Sequence, residues 1–115
     1  MNTRVRISTA FFVLAGVILL AGCPSHVSIA KINQDPGRYA GKEVTIAGHV
    51  NDSYGALGSG VFQIDDGTGT MWVYSSGFGM PSNGSKVAVT GSVTQGFSFA
   101  GRSFATIIKE TQRRH

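Results

Sequence analysis

Few residues of this 115-residue chain carry reactive side chains, and their spacing limits what they can do. Asp65 and Asp66 are adjacent in Asp65-Asp66-Gly67-Thr68-Gly69, a pattern that invites a metal or an acid–base pair. They end an alternating strand pattern, however, and adjacent strand residues point to opposite faces, so two such carboxylates do not converge on one ligand. The simpler chemistry is that of a turn, in which Asp oxygens accept backbone N–H bonds. Gly67-x-Gly69 is too short for a phosphate loop and no helix follows it. His26, His49 and His115 lie far apart, and His49 falls on the outer face of a strand pattern, as an ordinary surface histidine does. Cys23 is the only cysteine, which leaves no Cys/His metal spacing and no disulfide. No serine sits in a nucleophile motif. The expectation is no metal, no cofactor, no catalytic residue and no enzyme.

What remains is a binding surface, and the elements that must position it begin with Val61–Ser76. This stretch reads as two short strands joined by the Asp-Gly-Thr-Gly turn, a β-hairpin signal. Phe62 and Ile64 share one face, and Met71 and Val73 share one face of the second strand. Trp72 and Tyr74 point the other way. They need either a ligand or a cover, and the N-terminal segment is the candidate cover.

The chain opens with Arg4 and Arg6, runs apolar from Ala10 to Ala21 and reaches Leu20-Ala21-Gly22-Cys23. This is the layout of a secretory signal, too short for a comfortable membrane span of about 20 residues. Leu-Ala-Gly-Cys resembles the lipobox of bacterial lipoproteins. The resemblance implies cleavage before Cys23, whose sulfur carries a diacylglyceryl group. Each buried methylene contributes about 0.8 kcal/mol, so two or more acyl chains hold firmly. Removing residues 1–22 from 115 leaves 93, and Lys plus Arg fall from 10 to 8 against 6 Asp plus Glu. The formal charge is then +2 rather than +4, with Lys31, Arg38, Lys42, Lys86, Arg102 and Lys109 scattered. Only Arg113-Arg114-His115 cluster, and they read as a frayed, solvated tail. A nucleic-acid binder usually shows a concentrated basic patch.

Ser28 is a candidate N-cap for a helix of about two turns bearing Ile29 and Ile32, which ends before Pro36. Ile29, Ile32 and Tyr39 are expected to pack on the sheet. Val44, Ile46 and Val50 alternate, with Gly48 on the same inward register as a site for a bend. Val87, Val89, Gly91 and Val93 repeat that design. Ser103–Lys109 is the fifth strand. Asn51–Gly60, with Tyr54 and Leu57, Ser75–Ser85 without room for a helix, and Thr94–Arg102, with Phe97 and Phe99, read as loops.

Five short strands, two of them curling at internal glycines, imply an all-β fold. A closed, five-stranded Greek-key OB-fold barrel with a short N-terminal helix removes the sheet edges a small domain cannot leave open. A small SH3-like barrel is the competing fold. The runs Tyr39-x-Gly41-Lys42-x-Val44-x-Ile46-x-Gly48-x-Val50, Phe62-x-Ile64-x-Asp66-x-Thr68-Gly69-x-Met71-x-Val73 and Gly84-x-x-Val87-x-Val89-x-Gly91-x-Val93 are similar to OB-fold domains of the tRNA-anticodon-like type, and to small bacterial periplasmic OB-fold proteins. Many OB-folds place a helix between the third and fourth strands; here that segment is Ser75–Ser85. The expected layout is a lipoprotein signal peptide over 1–22, a lipidated tether and short helix over 23–41, an OB-fold barrel over 42–112 and a basic tail over 113–115.

OB-folds engage ligands on the face of the second and third strands with the first and fourth loops. That mapping nominates Trp72, Tyr74, Gln63, Tyr54, Phe97, Phe99 and Arg102. Aromatics with an interleaved Arg stack bases at about 1–3 kcal/mol each, and they also stack sugars or dock peptides. The expected function is a membrane-anchored envelope protein, tethered through Cys23, with a protein or glycan partner. An OB-fold nucleic-acid binder and a purely structural envelope protein are the alternatives. Pro24 follows the cysteine rather than the Asp that, by resemblance, retains enterobacterial lipoproteins at the inner membrane. The expected location is the outer membrane facing the periplasm in a Gram-negative source, and otherwise the outer face of the cytoplasmic membrane.

Overall fold

The computed structural model describes residues 25–114 apart from residue 57. The signal-peptide and lipid-anchor expectations, Leu57 and His115 lie outside the described residues. In chain order the elements are β1 (Ser25–His26), α1 (Ile29–Gln34), α2 (Pro36–Tyr39), β2 (Glu43–Ala56), β3 (Ser59–Asp65), β4 (Thr70–Ser76), β5 (Lys86–Phe99) and β6 (Arg102–Arg114). The strands form one sheet in the order β1-β2-β3-β4-β6-β5, and β2 also pairs with β5, so the sheet closes. The five long strands make the barrel; β1 adds two residues in parallel to β2.

Closure depends on one strand serving two neighbours. Glu43–His49 of β2 pair with β5, and His49–Ala56 pair with β3, with a register shift between Val50 and Asp52. Gly48 and Gly91 are the two inward glycines, and both sit where another strand passes close. A Cβ at Gly48 would run into the Asp65 carbonyl, and one at Gly91 into the Lys109 carbonyl and Ile108. Such close backbone approach is what a glycine inside a strand permits.

The barrel interior takes the alternating residues Val44, Ile46, Phe62, Ile64, Met71, Val73, Val87, Val89, Val93 and Ile108. Helix α1 closes one end. Ser28 caps it, accepting from the Lys31 N–H, and Ile29 and Ile32 are fully buried in this core. Tyr39 packs against the same cluster from α2, a short turn that Pro36 begins. So short a helix has little stability of its own and depends on this contact.

Two expected loops are strands. Within Asn51–Gly60, β2 runs on to Ala56 and β3 starts at Ser59, so the described residues there form the end of a hairpin, with Tyr54 opposite Val61 and Gly55 opposite Gly60. Thr94–Arg102 is likewise the end of the β5–β6 hairpin, turning at Ala100-Gly101, both with positive φ. Two such residues make the turn whose twist suits paired strands. Residues 77–85, between β4 and β5, contain no helix, as the glycines and Pro81 require.

The solvated tail expected over 113–115 is corrected at Arg113, while Arg114 is exposed as expected. Strand β6 runs through Arg114, and the Arg113 side chain is only 4% exposed. Its Nε donates to Glu110 Oε2 at 2.8 Å and its Nη2 to Oε1 at 2.6 Å. The same guanidinium donates to Ser75 Oγ and to the carbonyls of Phe78 and Gly79, and it lies 5.0 Å from the Phe62 ring centre. A fully buried carboxylate and a bidentate Arg satisfy each other here, which is the arrangement that makes burial of both tolerable.

Candidate functional site

The outer face of the β3–β4 hairpin carries a second apolar cluster, separate from the barrel interior. Val61, Phe104 and Ile107 are buried in it, with Tyr54, Trp72, Tyr74, Phe97 and Phe99 half-buried around them. Alternation along β4 sends Met71, Val73 and Ser75 inward and Trp72 and Tyr74 outward. The β2–β3 hairpin brings Tyr54 to one side of this face. The β5–β6 hairpin brings Phe97, Phe99 and Arg102 to the other.

The rings interlock at aromatic contact distances. Trp72 meets Tyr54 edge-on, with centroids 6.0 Å apart and planes at 66°, and Trp72 lies 5.5 Å from Phe104. Tyr74 lies 4.9 Å from Phe97 and 5.7 Å from Phe99, and Phe99 reaches Tyr54 at 6.2 Å. Tilted and edge-to-face pairs of this kind contribute about 0.5–1.5 kcal/mol each beyond their buried area. The exposed Arg102 places its guanidinium carbon 4.6 Å from the Trp72 ring centre and 5.2 Å from that of Phe104. Lys109 Nζ sits 5.1 Å over Phe97. Two cations thus rim a floor of aromatic faces.

Trp72, Tyr74, Tyr54, Phe97, Phe99 and Arg102 are all brought together here. Gln63 lies opposite Trp72 in the β3–β4 register and is half-buried beside them. Among the described residues the cover on Trp72 and Tyr74 does not come from α1, which packs into the barrel core. The two hairpin tips supply it, and they leave both rings partly open. Phe104 and Lys109 join the site without having been singled out. The signal for Phe104 is the alternation Phe97-x-Phe99 carried across a two-residue Ala-Gly connector. The Tyr54 hydroxyl is buried and has no hydrogen-bond partner among the described residues.

The Asp pair performs turn chemistry. Asp65 Oδ1 accepts from the Gly67 N–H at 2.8 Å and Asp66 Oδ1 from the Thr68 N–H at 2.8 Å. Asp66 Oδ2 reaches across to the Ile29 N–H at 2.9 Å, Thr68 Oγ1 accepts from the Ala30 N–H, and the Asn33 amide donates to the Thr70 carbonyl. The turn therefore caps α1 from outside it, supplying acceptors to amides that a helix leaves free. Partial burial pushes the Asp66 carboxyl upward, but hydrogen bonds from the Ile29 amide, from the hydroxyl and amide of Thr68 and from Gly69 outweigh it and hold it below its ordinary value. Among the described residues no group of three or more His, Cys, Asp or Glu is placed to hold a metal ion.

No protein-family model matches the sequence, and no curated protein matches it. Solved structures do resemble it. Aspartyl tRNA synthetase from Entamoeba histolytica aligns with a TM-score of 0.61 at 19% identity over 76% of this chain. Asparaginyl-tRNA synthetase from Pyrococcus horikoshii aligns with a TM-score of 0.55 at 19% identity over 67%. This chain spans 20% and 19% of the lengths of those two synthetase chains. OBody AM1L10, in its structure bound to hen egg-white lysozyme, aligns with a TM-score of 0.56 at 17% identity, covering 80% of this chain and 94% of its own. At these identities the likeness is one of fold. Together with the closed strand order, it makes the domain an all-β OB-fold barrel.

Proposed function

We propose that this chain is a membrane-anchored envelope lipoprotein whose OB-fold barrel is a non-catalytic binding module for a protein or glycan partner. The observation that carries the binding reading is the Trp72–Arg102 stack within an aromatic floor framed by two hairpins. Rigid, half-open aromatics beside an Arg are the residue types that anchor protein and sugar contacts. OBody AM1L10 bound to lysozyme supports the choice of a protein partner, since a barrel of this fold there accompanies one. The anchor rests on Leu20-Ala21-Gly22-Cys23, and an outer-membrane destination on Pro24.

Cross-linking in intact cells, with wild type compared against Arg102→Glu, tests the binding face. Arg102 is exposed, so its reversal spares the fold. The partner adduct should fall with Arg102→Glu and with Trp72→Ala/Tyr74→Ala; undiminished adducts in both would refute the assignment. For the anchor, Cys23→Ser should leave unlipidated precursor, and normal lipid labelling of that variant would exclude it. Nucleic acid is the second reading, favoured by the cations Arg102 and Lys109 over Trp72 and Phe97. It requires oligonucleotide affinity that falls steeply with added salt.

A further inference from the structure

Beside the point where the chain enters the barrel lies a concavity of about 540 Å³, whose lining includes His26, Lys31, Arg38, Tyr39, Lys42 and Glu43. Lys31, Arg38 and Lys42 are scattered in sequence, yet α1, α2 and the turn before β2 bring them to one hollow. Among the described residues the Arg113–Glu110 pair is the only ion pair, so none of these three exposed cations is held in one. Glu43, the one carboxylate in the lining, accepts from Thr111 Oγ1 at 3.3 Å. The frame is fixed by the barrel ladder. The Gly41 N–H donates to the Val93 carbonyl at 2.8 Å, the Val93 N–H to the Lys42 carbonyl at 3.0 Å, and the Lys42 N–H to the Tyr39 carbonyl at 2.9 Å.

The position of this hollow follows from the covalent chain. His26 is on its rim and is three residues from Cys23. A fully extended chain covers at most about 3.6 Å per residue, so His26 stands within about 11 Å of Cys23. That is close to one Debye length at ordinary ionic strength, the range over which an exposed cation feels a charged surface.

We propose that the basic hollow of Lys31, Arg38 and Lys42 docks on anionic phospholipid headgroups of the membrane that holds Cys23, and so fixes the orientation of the barrel on the bilayer. The inference rests on the anchor reading above. An Arg fork and two ammonium groups suit a phosphodiester, and a basic patch is the usual second signal beside a lipid chain. No residue of the hollow belongs to the aromatic cluster, so docking leaves that face to its partner.

The test uses the full-length lipidated protein reconstituted into vesicles of phosphatidylcholine alone, or of phosphatidylcholine mixed with phosphatidylglycerol. Lysine acylation rates are read by mass spectrometry at Lys31 and Lys42, with Lys86 and Lys109 as internal references. In the anionic vesicles Lys31 and Lys42 should react at least about threefold more slowly, with the references unchanged. Arg38→Glu, or salt near about 0.5 M, should restore the rates. Equal rates in both vesicles, or equal slowing of all four lysines, would overturn the docking. So would the same protection from inorganic phosphate in neutral vesicles, which would mark a small-anion site. Flotation with phosphatidylcholine vesicles reports the anchor by itself. A chain that does not float overturns the anchor and the docking together; one that floats without charge-dependent protection overturns the docking alone.

Discussion

Arg113 and Glu110 form a bidentate pair inside the end of the barrel, with Nη2–Oε1 and Nε–Oε2 distances of 2.6 and 2.8 Å and side chains 4% and 0% exposed. Removing one member strands the other charge out of water, which costs about 3–5 kcal/mol. Arg113→Ala also releases the Phe78 and Gly79 carbonyls. Urea melts should show Arg113→Ala and Glu110→Ala each strongly destabilised. The Arg113→Met/Glu110→Met double variant should lose less than either, because it leaves no unpaired charge.

Asp66 gives the fold an acid-side pH dependence. Its folded pKa lies below the ordinary value of 3.8. A depressed carboxyl adds stability that is complete well above 3.8 and is lost as pH falls through the lower folded value. Asp66→Asn should cost about 1 kcal/mol at neutral pH, as loss of a helix cap does. Thermal melts from pH 7 down to about pH 2 should converge for the two proteins at the acid end; a constant gap would exclude this origin.

Gly48 and Gly91 admit no side chain. A Cβ at either meets a backbone carbonyl, which cannot rotate away as a side chain can. Gly91→Ala should destabilise by about 1–3 kcal/mol, in the range of overpacked cores. Gly67→Ala has open space around its Cβ, but its φ of 86° belongs to the left-handed region, so its cost is conformational alone. Amide exchange separates the two: Gly91→Ala should speed exchange along β5 and β6, and Gly67→Ala only at the turn.

The Tyr54 hydroxyl is buried without a partner among the described residues, an arrangement that costs about 1–3 kcal/mol. Tyr54→Phe should therefore raise the melting temperature or leave it unchanged. A clear loss of stability would mean that the hydroxyl is satisfied in solution.

The barrel was legible because its inward residues keep period two. Val44 and Ile46, Phe62 and Ile64, Met71 and Val73, and Val87 and Val89 each mark a strand by the residues it turns into the core. The strand ends were not, since Asn51-Asp52-Ser53 and Gln95-Gly96 are turn formers with weak strand preference, overridden by pairing with β3 and β6. The aromatic site was readable in its membership, because the nominated rings alternate away from the core, but not in its cover. Arg113 was misread for a physical reason. A charge near a chain end is ordinarily solvated, and only the inward register of Ile108 and Glu110 signals that the last strand carries an ion pair inward.

The pairing between β4 and β6 is parallel and joins only Val73 to Ile108 and Tyr74 to Lys109. By contrast, β2 and β5 share seven register pairs. The molecule is therefore built like a book, with a long spine and a short clasp. One cover, β2–β3–β4, holds Tyr54, Trp72 and Tyr74; the other, β5–β6, holds Phe97, Phe99 and Phe104. Opening that clasp would move the two halves of the aromatic floor apart. The spacing of that floor is thus tied to four residues, two of which, Val73 and Ile108, lie in the barrel core rather than in the site.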